Sequence, residues 1–403
     1  MFHHHHNFPS TILQDKLKGA AIILGGGAVC FTGINIANGN EKFYHDFVMP
    51  AFRWVDPERA HVLAVKAAAW GLVPRSKYKD SSILHCKAMG LEFTNPIGMA
   101  AGFDKHAEAM NGLLKMGFGF VEVGSVTPEP QEGNPKPRVF RLTEDKAIIN
   151  RYGFNSVGHD LAYQRLKERQ EQAAHLPENQ RGIIGVNLGK NKTSPSVVQD
   201  YVNGVKKLGC LGDYLVINVS SPNTPGLRAM QGRQQLAELV DQVVAMRDLL
   251  PCTPKPPVLV KIAPDLTQAD KEDIAAVVMA KKGAVEGIIV TNTTITRPDS
   301  LVGKHKGETG GLSGAPLKNM STAAVRDMYR LTNGKVTIVG VGGVSSGLDA
   351  YEKIRAGASL VQLYTAFAYE GPPLPSKINR ELEELLRKDG FKSVSDAVGA
   401  DNR

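Results

Sequence analysis

Residues 182–192, GIIGVNLGKNK, form a run of branched and small apolar side chains that breaks abruptly into Asn, Gly and Lys. Seven further stretches share this form: NPIGMAAGFDK (95–105), FGFVEVGSVTP (118–128), YLVINVSSPNT (214–224), PVLVKIAPD (257–265), GIIVTNTT (287–294), VTIVGVGG (336–343) and SLVQLYTA (359–366). The runs are continuous rather than alternating, so each reads as a strand buried on both faces, the mark of a parallel sheet. In every case the polar cluster falls at the carboxyl end. Eight such units predict an α/β fold of the (β/α)8 TIM-barrel type, whose strand ends converge on one chemically active face.

Helical patterns lie between the runs, among them HAEAMNGLLKMG (106–117), SPSVVQDYVNGVKKLG (194–209), RQQLAELVDQVVAMRDLL (233–250), QADKEDIAAVVMAKKG (268–283), NMSTAAVRDMYRLTNG (319–334) and GLDAYEKIRAG (347–357). Several finish on Gly, as a helix carboxyl terminus favours. An insertion, TPEPQEGNPKPRVFRLTEDKAIINRYGFN (127–155), carries prolines and two alternating pieces, VFRL and AII. It reads as a loop and short β-ribbon over the barrel mouth.

In front of the barrel, no residue from Gly19 to Asn40 is charged. The apolar stretch 19–37 approaches the ~20 residues a helix needs to cross a bilayer. A single-pass anchor is the leading reading; a cleaved signal peptide is its rival. Residues 41–72 read as two short amphipathic helices divided near Pro50 and Asp56–Pro57, with Phe43, Phe47, Phe52 and Trp54 crowded together. These aromatics either pack on the barrel or dip into a membrane interface. His3–His6 receive no function. The chain thus divides into 1–40 (targeting segment and anchor), 41–75 (a membrane-associated helical unit) and 76–403 (the barrel).

The 403 residues carry a net charge of +8, 42% apolar side chains and 22% charged ones, an ordinary globular balance that suits anionic ligands or an anionic membrane surface. Lys and Arg are scattered, and nothing resembles a nucleic-acid-binding motif. The four cysteines, Cys30, Cys86, Cys210 and Cys252, share no close spacing, so neither a zinc site nor a disulfide framework is expected. The strand ends hold no nucleophile elbow, no HExxH and no carboxylate pair for glycoside cleavage. They offer amides, hydroxyls, two lysines and glycine-exposed N–H groups instead. That set suits a planar heterocycle with a phosphate, a flavin or similar cofactor. GVGG (340–343) sits where barrels often hold phosphate, although a tight turn explains it equally well.

Ten blocks in order, AAGFDKH, GFGFVEVGSVTP, NRYGFN, GVNLGKNK, NVSSPNTPGLR, VLVKIAPDL, VTNTT, GGLSG, GVGGVSSG and QLYTA, resemble class 2 dihydroorotate dehydrogenase, and the resemblance runs from about Glu41 to the carboxyl terminus. Class 1 relatives carry a cysteine where this chain has Ser221. The resemblance implies FMN-dependent oxidation of (S)-dihydroorotate to orotate with a membrane quinone as acceptor, in de novo pyrimidine (UMP) biosynthesis at the mitochondrial inner membrane. The segment before the anchor has no Arg and contains Asp15, so that location follows from the family and the anchor rather than from a presequence. Two other readings stay open: a flavin barrel acting on another pyrimidine, and a membrane-tethered scaffold without chemistry. The oligomeric state is open, a monomer included.

By the same resemblance, FMN would lie against Ala100, Ala101, Gly102, Phe103 and Asp104. Gly124, Ser125, Asn150, Asn187 and Asn218 would bond the ring edges or the substrate, and Lys261 would place its cation by the flavin N1–O2 edge. Thr291, Gly314, Gly343, Tyr364 and Thr365 would complete the ribityl and phosphate shell. Dihydroorotate would meet Lys105, Asn150, Arg151, Tyr152, Gly153, Phe154, Asn218, Asn223, Asn292 and Thr293, with Lys105 taking its carboxylate. Ser221 would remove the C5 proton while the C6 hydride moves to flavin N5. A serine is a poor base near neutral pH, so Thr224 and a water gated by Phe154 would relay the proton. His61, Arg141 and Tyr364 would line a quinone tunnel. No metal site is expected.

Overall fold

The computed structural model describes residues 10–177, 180–280 and 283–403, so His3–His6 lie outside the described residues. Each of the eight runs forms a strand: β1 Ile97–Met99, β2 Phe120–Val126, β3 Ile183–Leu188, β4 Tyr214–Asn218, β5 Val258–Ile262, β6 Gly287–Val290, β7 Thr337–Val341 and β8 Leu360–Leu363. They pair in parallel in chain order, and β8 returns to β1 to close the barrel. Every residue of β2, β4, β5 and β6 is buried, which is why those runs show no alternation.

The barrel interior is filled by matching large side chains with glycines. A Cβ at Gly185 would stand 2.0 Å from Cζ of Tyr214 on the neighbouring strand, so only glycine leaves room for that ring. An unlabelled hairpin, Cys86–Ala88 with Leu91–Phe93, closes the amino end, where the Phe93 ring meets Phe120 edge-on at 5.4 Å.

The insertion contains the expected ribbon, Val139–Leu142 paired with Ala147–Asn150. A third strand, Gly311–Gly314, joins its other edge and ties the ribbon to the loop after β6. Four glycine-rich residues carry no strand signal of their own, so the sequence did not reveal it.

Three helical segments lie in front. α1, Ser10–Ala37, contains a 24-residue apolar span, Gln14–Ala37, long enough to cross a membrane, and none of its most apolar stretch is buried against the protein. α2 covers 41–53 without the expected break at Pro50. Its turn Tyr44–Val48 is a π-helix, with the Met49 N–H bonded to the Tyr44 carbonyl, and this widened turn admits the proline ring. α3, Pro57–Ala69, starts at the expected boundary, where the Asp56 carboxylate accepts from the Arg59 N–H at 2.9 Å.

One expectation is corrected. Cys210 and Cys252 are joined in a disulfide with Cα atoms 5.6 Å apart. Their 42-residue separation hid the pairing. The neighbouring helices Val197–Leu208 and Arg233–Asp248 bring the two residues together where each helix ends.

Candidate active site

The carboxyl ends of the strands open into one continuous cavity of about 410 Å³, which runs from the barrel mouth beneath the ribbon to the helices α2 and α3. Of the residues expected at the site, Ala100, Ala101, Gly102, Phe103, Lys105, Ser125, Asn150, Tyr152, Gly153, Phe154, Asn218, Ser221, Asn223, Lys261, Thr291, Asn292, Thr293, Gly314, Gly343, Tyr364, Thr365, His61 and Arg141 all line it. Strand-end residues from Ala100 to Thr365 therefore share one cavity, because the barrel gathers all its strand ends at one face.

An amide lattice spans the mouth. Asn218 Nδ2 donates to Ser125 Oγ at 2.9 Å and to Asn187 Oδ1 at 3.2 Å. Asn292 Nδ2 donates to Ser220 Oγ at 3.0 Å, and Asn223 Nδ2 to the Asn150 carbonyl at 3.2 Å. The amides are thus held in fixed orientations, some of their polar atoms still facing the cavity, ready to match a ring of donors and acceptors. Arg228 braces this lattice from outside, donating to the Ser220 and Thr293 carbonyls and pairing with Asp265 at 2.9 Å.

Lys105 is buried, and its ammonium sits 3.7 Å from the centre of the Tyr152 ring while donating to the Gly102 carbonyl at 2.8 Å. Desolvation lowers its pKa to about 7. Lys261 is also buried; desolvation lowers its pKa, while Glu122 at 3.9 Å pulls the other way. Ser221 Oγ accepts the Asn223 N–H at 3.3 Å and faces the cavity. The neighbouring Thr224 hydroxyl is buried without a hydrogen-bond partner. His61 is neutral, its pKa held well below the usual value by desolvation and then by Lys105. Its Nε2–H therefore donates to the Phe103 carbonyl at 2.7 Å, leaving Nδ1 to accept from the Tyr152 hydroxyl at 3.2 Å. Arg141 donates to the Val55 carbonyl at 2.7 Å, pinning the ribbon to the turn between α2 and α3.

Five expected residues do not line the cavity. The Arg151 side chain turns outward to Glu308 at 2.7 Å and stacks on Phe140. The Asp104 carboxylate binds the N–H groups of Glu108 and Ala109, which makes it a turn cap. Gly124 meets its neighbours through backbone bonds to Gly102 and Asp104. Asn187 lies one layer down, between Ser125 and Glu122. Thr224, three residues after Ser221, is buried away from the cavity lining.

Sequence reading passed over Glu122, which is fully buried at the centre of the barrel. It accepts from Asn187 at 2.7 Å, Gln362 at 2.7 Å and Tyr214 at 3.3 Å, and it faces Lys261. The signal was present: a charge inside FVEV and an amide inside LVQL interrupt strands buried on both faces, and such groups persist only with partners. Also missed was the clasp in which Arg138 Nη2 meets Glu58 at 2.7 Å, joining the insertion to α3.

The cavity fits a flavin mononucleotide. Ala100–Gly102 present a flat wall of small residues, and Lys261 supplies a cation with one counter-charge nearby. Beside that wall, at the ends of β7 and β8, the N–H groups of Gly343, Val344, Tyr364 and Thr365 make no hydrogen bond among the described residues, and Gly343 has a φ of +69°. A Cβ there would stand 2.5 Å from Cβ of Lys318. Converging free amides on a glycine turn form an anion-binding concavity.

Comparison with known proteins agrees with this geometry. The family described as dihydroorotate dehydrogenase matches residues 83–386. The mitochondrial dihydroorotate dehydrogenase (quinone) of Mus musculus is 56% identical over 393 residues, spanning 97% of this chain and 98% of the mouse protein. The dihydroorotate dehydrogenase (quinone) of Rhodospirillum rubrum is 50% identical over 89% of this chain and 95% of its own. The crystal structure of the Eimeria tenella enzyme in complex with ferulenol superposes with a TM-score of 0.84 at 47% identity, covering 86% of this chain and 96% of that one. Barrel, amide lattice and similarity over nearly the whole length lead to one assignment: the chain belongs to class 2 of the dihydroorotate dehydrogenase family.

Proposed function

We propose that this chain is a quinone-dependent dihydroorotate dehydrogenase that oxidises (S)-dihydroorotate to orotate in pyrimidine biosynthesis. One observation carries the reading: a single cavity joins a polar end, built from Lys105, Ser221, Lys261 and the asparagines, to an apolar end lined by Val48, Phe52, Ala60 and Ala64 of the N-terminal helices. A polar acid and a lipid-soluble oxidant can each reach the same cofactor from its own side.

Lys105 binds the substrate carboxylate by charge. Asn150, Asn218, Asn223 and Asn292 orient the ring amides, and the lattice behind them keeps them from turning. Ser221 Oγ takes the C5 proton and passes it towards Thr224, whose unpaired hydroxyl is available to receive it. Phe154 covers that route, with a backbone φ of +56° that directs its ring over the site. Ala100–Gly102 and Gly343 would hold FMN, which would supply the redox chemistry that links the C6 hydride to the quinone. Lys261, with Glu122 beneath it at 3.9 Å, would place a positive charge beside the bound flavin. His61, Arg141 and Tyr364 frame the quinone's approach, and Tyr152 separates it from Lys105.

Three regions divide the work. Residues 1–40 target and anchor the chain at the mitochondrial inner membrane, 41–75 form the quinone entrance, and 76–403 carry the flavin and the chemistry. The test is spectroscopic. Anaerobic dihydroorotate should bleach the flavin absorbance of the purified chain, and a quinone should restore it. Ser221→Ala should keep the flavin yet slow bleaching by on the order of 10²–10⁴, the usual contribution of a positioned base. Bleaching at the parent rate would refute Ser221 as the base.

A further inference from the structure

Behind the glycine turn at β7 lies a lysine that the proposed chemistry does not use. Lys353, on the helix Gly347–Ala356, is fully buried, and its ammonium donates to Ser321 Oγ at 3.0 Å and Thr322 Oγ1 at 2.9 Å. Both partners are neutral. No carboxylate comes within ion-pair distance of it among the described residues. The two acids nearest in sequence, Asp349 and Glu352, are both engaged by Lys318, at 2.6 and 2.9 Å. Desolvation lowers the Lys353 pKa to about 7, with Asp349 offsetting this only in part, and folds seldom retain so costly a buried lysine without a use.

Its position suggests the use. The stem of Lys353 packs against Gly340 in β7, and Ser321 Oγ donates in turn to the Val341 carbonyl. The chain then enters Gly342–Val344, where the free amides of Gly343 and Val344 face the cavity. The ammonium therefore stands behind an anion cradle, linked to its backbone through one hydroxyl. In a low-dielectric interior a charge acts across such a gap with little screening.

We propose that Lys353 is a positioning residue for the cofactor phosphate, supplying through Ser321 and the 341–344 turn the counter-charge that the amides alone lack. The inference rests on the FMN reading above and extends it to a residue that touches neither cofactor nor substrate. Its ammonium is poorly compensated until the phosphate dianion arrives, so burying it opposes folding of the flavin-free chain and favours the loaded one.

The experiment compares FMN with riboflavin, which lacks the phosphate. Full-length chain stripped of flavin is titrated with each by fluorescence quenching, and its thermal midpoint is recorded. Lys353→Met should weaken FMN on the order of tenfold or more, leave riboflavin within about twofold, and hold or raise the midpoint of the flavin-free chain. Ser321→Ala, which cuts the link and keeps the lysine, should show the same selectivity to a smaller degree and decides the matter if the methionine variant misfolds. Equal weakening of both flavins, or unchanged FMN affinity, would overturn the proposal and leave Lys353 a core residue. Failure of the parent chain to prefer FMN over riboflavin would instead overturn the phosphate reading on which it rests.

Discussion

One buried charge sets how the site responds to pH, and a second holds the barrel centre together. Lys105 has a pKa near 7 because burial disfavours its ammonium, so it is charged below that point and loses its proton above it. An anionic ligand that needs the charge must bring a proton with it at higher pH. The dissociation constant of orotate, read from perturbation of the flavin spectrum, should be flat below about pH 7 and rise towards tenfold per unit above it. Lys105→Met should bind weakly and with no such bend. Glu122 is the other charge. An amide in its place keeps one acceptor oxygen, so its NH2 would be aimed at the N–H of either Asn187 or Gln362, and Lys261 would lose its charged partner. Glu122→Gln should therefore cost about 3–5 kcal/mol in urea unfolding, as removing one member of a buried pair does. An unchanged midpoint would show that the Lys261–Glu122 contact carries no weight. Lys105 was readable because it stands in a strand-end motif; Glu122 was overlooked because it sits inside a strand, where attention to apolar runs hides the one charge among them.

The elements were legible wherever hydrophobic continuity marked them and obscure wherever backbone pairing alone did. All eight barrel strands were recovered because burial on both faces writes itself into composition. Gly311–Gly314 escaped because its strand character comes from the ribbon beside it, not from its own side chains. The division at Pro50 failed for a related reason, since a π-turn accommodates a proline that a regular helix would reject. Interior packing was likewise invisible in one dimension. Gly185 looks like a weak point of its strand, yet it is the space in which the Tyr214 ring lies. That ring is fully enclosed and cannot retreat, so Gly185→Ala should destabilise the barrel by about 1–3 kcal/mol and lower the thermal midpoint. A neutral result would mean that the two strands can separate locally.

At the scale of the molecule, the chain is a closed barrel with a greasy entrance and a stalk. Trp54 is 92% exposed and Trp70 71%, with Phe47, Val62, Leu63 and Leu72 also uncovered on the two entrance helices and just beyond them. Such a patch exceeds the scattered apolar residues of a soluble surface, and it favours the membrane-facing alternative for the 41–72 aromatics. Deleting residues 1–40 should reduce sedimentation with mitochondrial-lipid vesicles while leaving dihydroorotate oxidation by a water-soluble acceptor intact. Loss of that activity would make the stalk a structural part of the barrel. On the proposed reading, the most apolar stretch of α1, none of it buried against the rest of the chain, would act as a tether rather than a brace. A tether of that kind fixes no angle; it would multiply encounters by holding the tryptophan rim at high effective concentration beside lipid. The rim's own affinity for the bilayer can then stay weak, and the entrance can lift off and settle again without the enzyme ever diffusing away.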